Sequence, residues 1–126
     1  MVLVDTSVWV SHFKNSDIIL SELLIQDLVF CHPLIIAEIA CGTPPSPRAN
    51  TLNDFALLSQ SKVATQNEVL TMIERHELFG KGCGYVDIAL LASTLITGNL
   101  QLWTFDKRLE LLASKLGVSF NHESSF

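Results

Sequence analysis

Short apolar runs alternate along this chain with longer segments of helical pattern, and that alternation leaves few folds open. Met1–Val4 is wholly apolar, and Leu28–His32 and Leu100–Thr104 also read as strands, the last with Gln101 and Thr104 polar. A short apolar run without polar alternation predicts a strand buried on both faces. The segments between carry helix signals. Asp5, Thr6 and Ser7 are capping residues ahead of a helix expected over Val8–Lys14. Ser16 is placed to cap a second helix reaching about Gln26, with an apolar and a polar stripe. Pro33 suits the first turn of a helix to about Cys41, and Gly42 its stop. Further helices are expected near Arg48–Leu58 and from the capping-box sequence Thr65-Gln66-Asn67-Glu68 to about Leu78. Two more are expected over Tyr85–Ile96, closed by Gly98, and over Lys107–Leu116, closed by Gly117. Weak strands are expected at Ser61–Ala64 and Val118–Phe120. Strands alternating with helices predict an α/β fold with a mostly parallel central sheet flanked by helices. At 126 residues the length suits one domain, taken as residues 1–120, with a frayed tail over Asn121–Phe126.

In a parallel sheet, ligands bind beyond the carboxyl ends of the strands. Four acids fall at or near that edge. Asp5 ends the first apolar run, and Asp106 follows Leu102-Trp103-Thr104-Phe105. Asp87 lies at the start of an apolar helix, and Glu38 lies one to two turns into the helix after the second strand. Only 17% of the chain is charged, so acids set in apolar sequence need a reason. Two carboxylates about 4 Å apart repel by roughly 4 kcal/mol at an effective dielectric of about 20. If these four converge, a hard divalent cation is the natural counter-charge. Taken singly, each has a plainer reading. Asp5 and Asp106 are placed to cap helices, and Asp87 suits the positive end of a helix dipole.

The four motifs together resemble those of a PIN domain, and more narrowly of a VapC-type toxin ribonuclease. Val2-Leu3-Val4-Asp5-Thr6-Ser7-Val8-Trp9 is similar to that family's opening, and Ile36-Ala37-Glu38-Ile39-Ala40-Cys41-Gly42 to its second acidic motif. Gly84-Tyr85-Val86-Asp87-Ile88-Ala89-Leu90-Leu91-Ala92 resembles the third, and Leu102-Trp103-Thr104-Phe105-Asp106-Lys107-Arg108-Leu109 the fourth. The order and spacing are those of the family over nearly the whole chain. The fourth motif departs from it: Asp106 stands where many relatives have asparagine, and Leu109 where they have a later acid.

The resemblance implies a PIN-like three-layer fold and Mg²⁺- or Mn²⁺-dependent endonucleolytic cleavage of RNA, leaving a 5′-phosphate and a 3′-hydroxyl. It implies a small VapB-like antitoxin and a homodimer. Asp5, Glu38, Asp87 and Asp106 carry over as the catalytic acids. Asp5, Asp87 and Asp106 are the expected metal ligands, and Thr6, Ser7 and Thr104 the hydroxyls that support them.

Other features bound this reading. Net charge is −5, against the basic surface usual for nucleic-acid binding. Cations seated on carboxylates reverse the local sign, and Lys14, Arg48, Lys81, Lys107, Arg108 and Lys115 are available to line an RNA path. The hydrophobic fraction of 48% predicts an apolar face covered by a partner, with Leu52, Phe55, Ala56, Leu58 and the stripe from Ile18 to Leu28 as candidates. No apolar run reaches the ~18 residues of a membrane span, and no signal-peptide pattern is present. Cys31, Cys41 and Cys83 lack disulfide or zinc spacing, and the first two read as small core residues. These features predict a reduced, cytoplasmic protein. His32 reads as a strand-end histidine bonded to backbone, Trp9 and Trp103 as core or interface, and the Gly80–Gly84 loop as a turn.

Three rival functions are weaker. A haloacid-type phosphatase needs an aspartate two residues after the first, where Ser7 stands. A phosphoacceptor receiver needs an acidic pair beside the first strand, and Val2–Val4 has none. A catalytically silent PIN-like binding module would have no need of all four acids.

Overall fold

The computed structural model describes residues 1–121. The expected tail beyond Asn121 lies outside the described residues. Four parallel strands, β1 (Val2–Val4), β2 (Val29–Cys31), β3 (Ser59–Gln60) and β4 (Gln101–Trp103), form a sheet in the order β3-β2-β1-β4. β1 is central. Val2 pairs with Val29 on one side and with Gln101 on the other, and Val4 is level with Trp103. Val2, Leu3 and Val4 are all buried, as a strand covered on both faces requires.

Seven helices among the described residues flank the sheet: α1 (Thr6–Lys14), α2 (Ile18–Ile25), α3 (Pro33–Cys41), α4 (Arg48–Leu57), α5 (Gln66–Arg75), α6 (Tyr85–Thr97) and α7 (Lys107–Lys115). The α/β architecture with a parallel sheet is as expected. α6 carries the longest buried run, Ile88–Thr94, which marks it as a core helix rather than an amphipathic one. Left-handed Gly98 and Gly117, at φ 76° and 75°, terminate the chain's turn out of α6 and α7, a conformation that disfavours a side chain.

The chain leaves β1 toward β2 and β3, then crosses back to lay β4 on β1's other side. The strand order therefore reverses between β1 and β4, and a crevice forms at such a switch point. Asp5 follows β1 and Asp106 follows β4, so both stand at its mouth.

Several boundaries differ from expectation. Asp17, not Ser16, caps α2, its Oδ1 accepting from the Ile19 and Leu20 amides at 2.9 and 3.0 Å. The weak strand lies at Ser59–Gln60 rather than Ser61–Ala64, because Ser59 and Gln60 are the residues level with Phe30 and Cys31. Val118–Phe120 is not a full strand: it makes one parallel bridge, Leu102 to Ser119, with amide bonds on either side of it. α5 ends at Arg75 rather than near Leu78, with Glu77 turned to φ 53°. Cys31 is buried, but Cys41 is exposed. The buried face of α3 is set by Ile35 and Ile39, and Cys41 lies two residues past it, on the opposite side of the helix.

Candidate active site

Asp5 occupies the N-cap position of α1 but makes no side-chain capping bond. Its carboxylate is buried, at 6% exposure, and faces β4 instead. Oδ2 accepts from the Ser7 hydroxyl and from the Thr104 hydroxyl, each at 2.8 Å. The same two hydroxyls accept backbone protons in turn: Ser7 Oγ from the Phe105 amide at 3.1 Å and Thr104 Oγ1 from the Asp106 amide at 3.0 Å. Each hydroxyl has one proton, and both point at Asp5. The network therefore makes Asp5 Oδ2 the shared acceptor and ties the turn after β1 to the turn after β4.

Glu38 sits on the exposed side of α3 and accepts the Thr6 hydroxyl proton at 2.7 Å. All three hydroxyls singled out in the sequence thus donate to one of the acids. Asp106 is the N-cap of α7, and its Oδ1 accepts the Leu109 amide at 3.0 Å. The capping reading holds for that oxygen and leaves Oδ2 for other work.

Asp87 lies half-buried in the first turn of α6. Its carboxyl is pushed above the ordinary aspartate value. Burial is the main cause, the charges of Asp5, Asp106 and Glu38 add to it, and a bond with the Gly84 backbone opposes it. Asp5, Asp106 and Glu38 are thus near enough for their charges to be felt at Asp87, and Asp5 and Asp106 follow neighbouring strands at one edge of the sheet. Among the described residues, no three carboxylate, histidine or cysteine side chains form a ready-made metal cluster.

Cys83 was not among the expected site residues. Its half-buried thiol is raised by burial and then by Asp87 and Asp106, with Arg108 opposing. Its position in a glycine-rich loop carried no signal of this. His32 is not part of the site. It is buried, Nδ1 accepts the Leu34 amide at 3.0 Å, and Nε2 meets Ser93 Oγ at 3.0 Å. Trp9 and Trp103 are buried at 4% exposure, Trp9 packing edge-on against Phe55 with ring centroids 4.6 Å apart.

The expected cations separate. Arg48 donates to the Ala40 and Gly42 carbonyls at 2.6 and 3.4 Å, so it closes the end of α3. Arg108 reaches the Gly82 carbonyl at 3.4 Å, beside the acids. Lys14 and Glu38 line one groove of about 540 Å³ with Val10, Phe13 and Pro44. The expected partner face is mixed: Phe55 is buried, whereas Ile18 and Ile25 are 73% and 84% exposed.

No family model matches the chain. It is 44% identical over 125 residues to the protein named Ribonuclease VapC32 from two strains of Mycobacterium tuberculosis, covering 99% of this chain and 100% of theirs. With a PIN-like parallel sheet and that identity from end to end, the chain belongs to the VapC family of PIN-domain ribonucleases.

Proposed function

We propose that this protein is a divalent-metal-dependent endoribonuclease that hydrolyses RNA phosphodiester bonds as the toxin of a toxin–antitoxin pair. The observation that carries the reading is the gathering of four acids at the sheet's switch point, with three hydroxyls donating to them. The donors suit Mg²⁺ or Mn²⁺: all are oxygen, and the repulsion felt by Asp87 is what a cation relieves. Such an ion, when bound, offsets phosphate charge and lowers the pKa of a water.

Asp5 and Asp87 are the direct ligands in this reading, with Asp106 Oδ2 joining them or acting through water. Ser7 and Thr104 hold the Asp5 carboxylate in one orientation through Oδ2 and leave its other oxygen for the ion. Thr6 orients Glu38, whose second oxygen is left to position the attacking water.

Residues 1–120 act as one PIN domain, in the cytoplasm. Among the described residues no helix is long and apolar enough to cross a membrane. A VapB-like antitoxin and a second copy of the chain are the proposed protein partners, and exposed Ile18, Ile25 and Leu57 support an apolar contact surface. Elution as a monomer at micromolar concentration would reject the homodimer.

RNA cleavage with Mg²⁺ or Mn²⁺ tests the activity. The native protein cuts, chelation stops it, and Asp5→Asn and Asp87→Asn each lose at least about a hundredfold. Equal rates for all three proteins would sink the assignment.

A further inference from the structure

Among the described cations, Arg108 is tied by an interaction of its own to the loop that leads into the helix of Asp87. It lies in the first turn of α7, two residues past Asp106, and is exposed. Its guanidinium reaches back to the loop before α6 and donates to the Gly82 carbonyl at 3.4 Å. Gly82 precedes Gly84, the N-cap of α6, and Asp87 is in the first turn of that helix. Arg108 therefore spans the two helix starts that carry Asp87 and Asp106.

Gly82 is shaped for this contact. A Cβ there would meet Arg108 Cδ at 2.8 Å and Nη1 at 3.0 Å, so the arginine lies flat against the bare backbone. The residue also has φ +83°, which only glycine adopts readily. With four carboxylates gathered nearby, Arg108 forms no ion pair with any of them among the described residues. One of its five N–H donors is engaged by Gly82, and the others remain for a ligand.

We propose that Arg108, braced by Gly82, is an RNA-binding residue that holds the backbone phosphate next to the scissile one. This deepens, and rests on, the ribonuclease reading. An acidic pocket repels a polyanion, and a planar fork at its rim supplies the local attraction that a net charge of −5 does not. The charge balance at Cys83, where Arg108 opposes Asp87 and Asp106, places the guanidinium within the same field as the acids. The expected RNA-path cations thus divide: Arg48 is engaged at the end of α3, while Arg108 has donors free at the site.

The test is binding of a short fluorescein-labelled oligouridylate in Ca²⁺, followed by anisotropy over about 50 to 200 mM salt. Arg108→Ala should weaken binding roughly tenfold, as the loss of one charged hydrogen-bonding contact does. It should also flatten the plot of log affinity against log salt by about 0.7, the signature of one phosphate on a single strand. Arg108→Lys should restore the slope but not the full affinity, since it keeps the charge and loses the fork. In cleavage assays the loss should fall on KM, with kcat little changed.

An unchanged affinity and slope in Arg108→Ala overturns the proposal. So does a variant that binds metal more tightly with its RNA slope unaltered, because Arg108 would then only offset the carboxylates. If Arg108→Ala fails to fold, the comparison of native protein with Arg108→Lys still decides, and identical affinities overturn it. Native protein that binds RNA through Arg108 but never cuts it would reject the nuclease reading and leave the arginine contact standing.

Discussion

Asp87 pays most directly for being part of the site. Burial and three neighbouring carboxylates hold its folded pKa above the ordinary 3.8. Its ionised form is the disfavoured one in the folded chain, so its charge opposes folding. That destabilisation is present above the folded pKa and is relieved as pH falls through it. Asp87→Asn should therefore raise the melting temperature of the metal-free protein by up to a few degrees while abolishing cleavage. A scan showing the variant less stable than native protein in EDTA would contradict the electrostatic account. Thr6, Ser7 and Thr104 show the other side of the same chemistry: short polar residues beside acids were legible in the sequence, but which acid each one serves was not. Thr104 and Asp5 are 99 positions apart and meet only because β1 and β4 are neighbours.

At the scale of the element, Asp106 has two separable duties. Its Oδ1 caps α7, and its charge is felt at Asp87. Asparagine preserves the cap and removes the charge, whereas alanine removes both. Asp106→Ala should cost about 1 kcal/mol of stability and Asp106→Asn little, judged by denaturant midpoints. Both should lose cleavage. Native rates in Asp106→Asn would leave Asp106 a cap and nothing more. The helices were legible to within a few residues because capping residues, proline and glycine act locally. The two weak strands were less so. Ser59–Gln60 is a strand only because β2 lies alongside, and the Val118–Phe120 segment touches β4 at one bridge.

For the molecule as a whole, His32 joins layers. Its ring caps α3 through Nδ1 and reaches Ser93 on α6 through Nε2, and Ser93 Oγ also accepts the Ala64 amide at 3.0 Å. With Nδ1 accepting, the neutral ring carries its proton on Nε2. Burial lowers the His32 pKa below 6.5, so the unfolded chain takes up a proton that the folded one resists. The stability is present above the unfolded value and is lost as pH falls below about 6.5, with a slope of up to about 1.4 kcal/mol per pH unit. Urea titrations between neutral pH and the acid range should show this decline, and His32→Asn should flatten it while lowering stability throughout. A native slope unchanged by the substitution would assign the acid sensitivity elsewhere.

The apolar runs and the caps determined the class of fold and the order of the helices, and the four motifs singled out the candidate acids. Each of these is written in neighbouring residues, through periodicity, backbone preference and short spacing. Tertiary structure alone decided that β4 lies against β1, that Thr104 faces Asp5, and that Arg108 rests on Gly82. Those are contacts between segments distant along the chain, and only the packing of the sheet brings them within hydrogen-bonding distance.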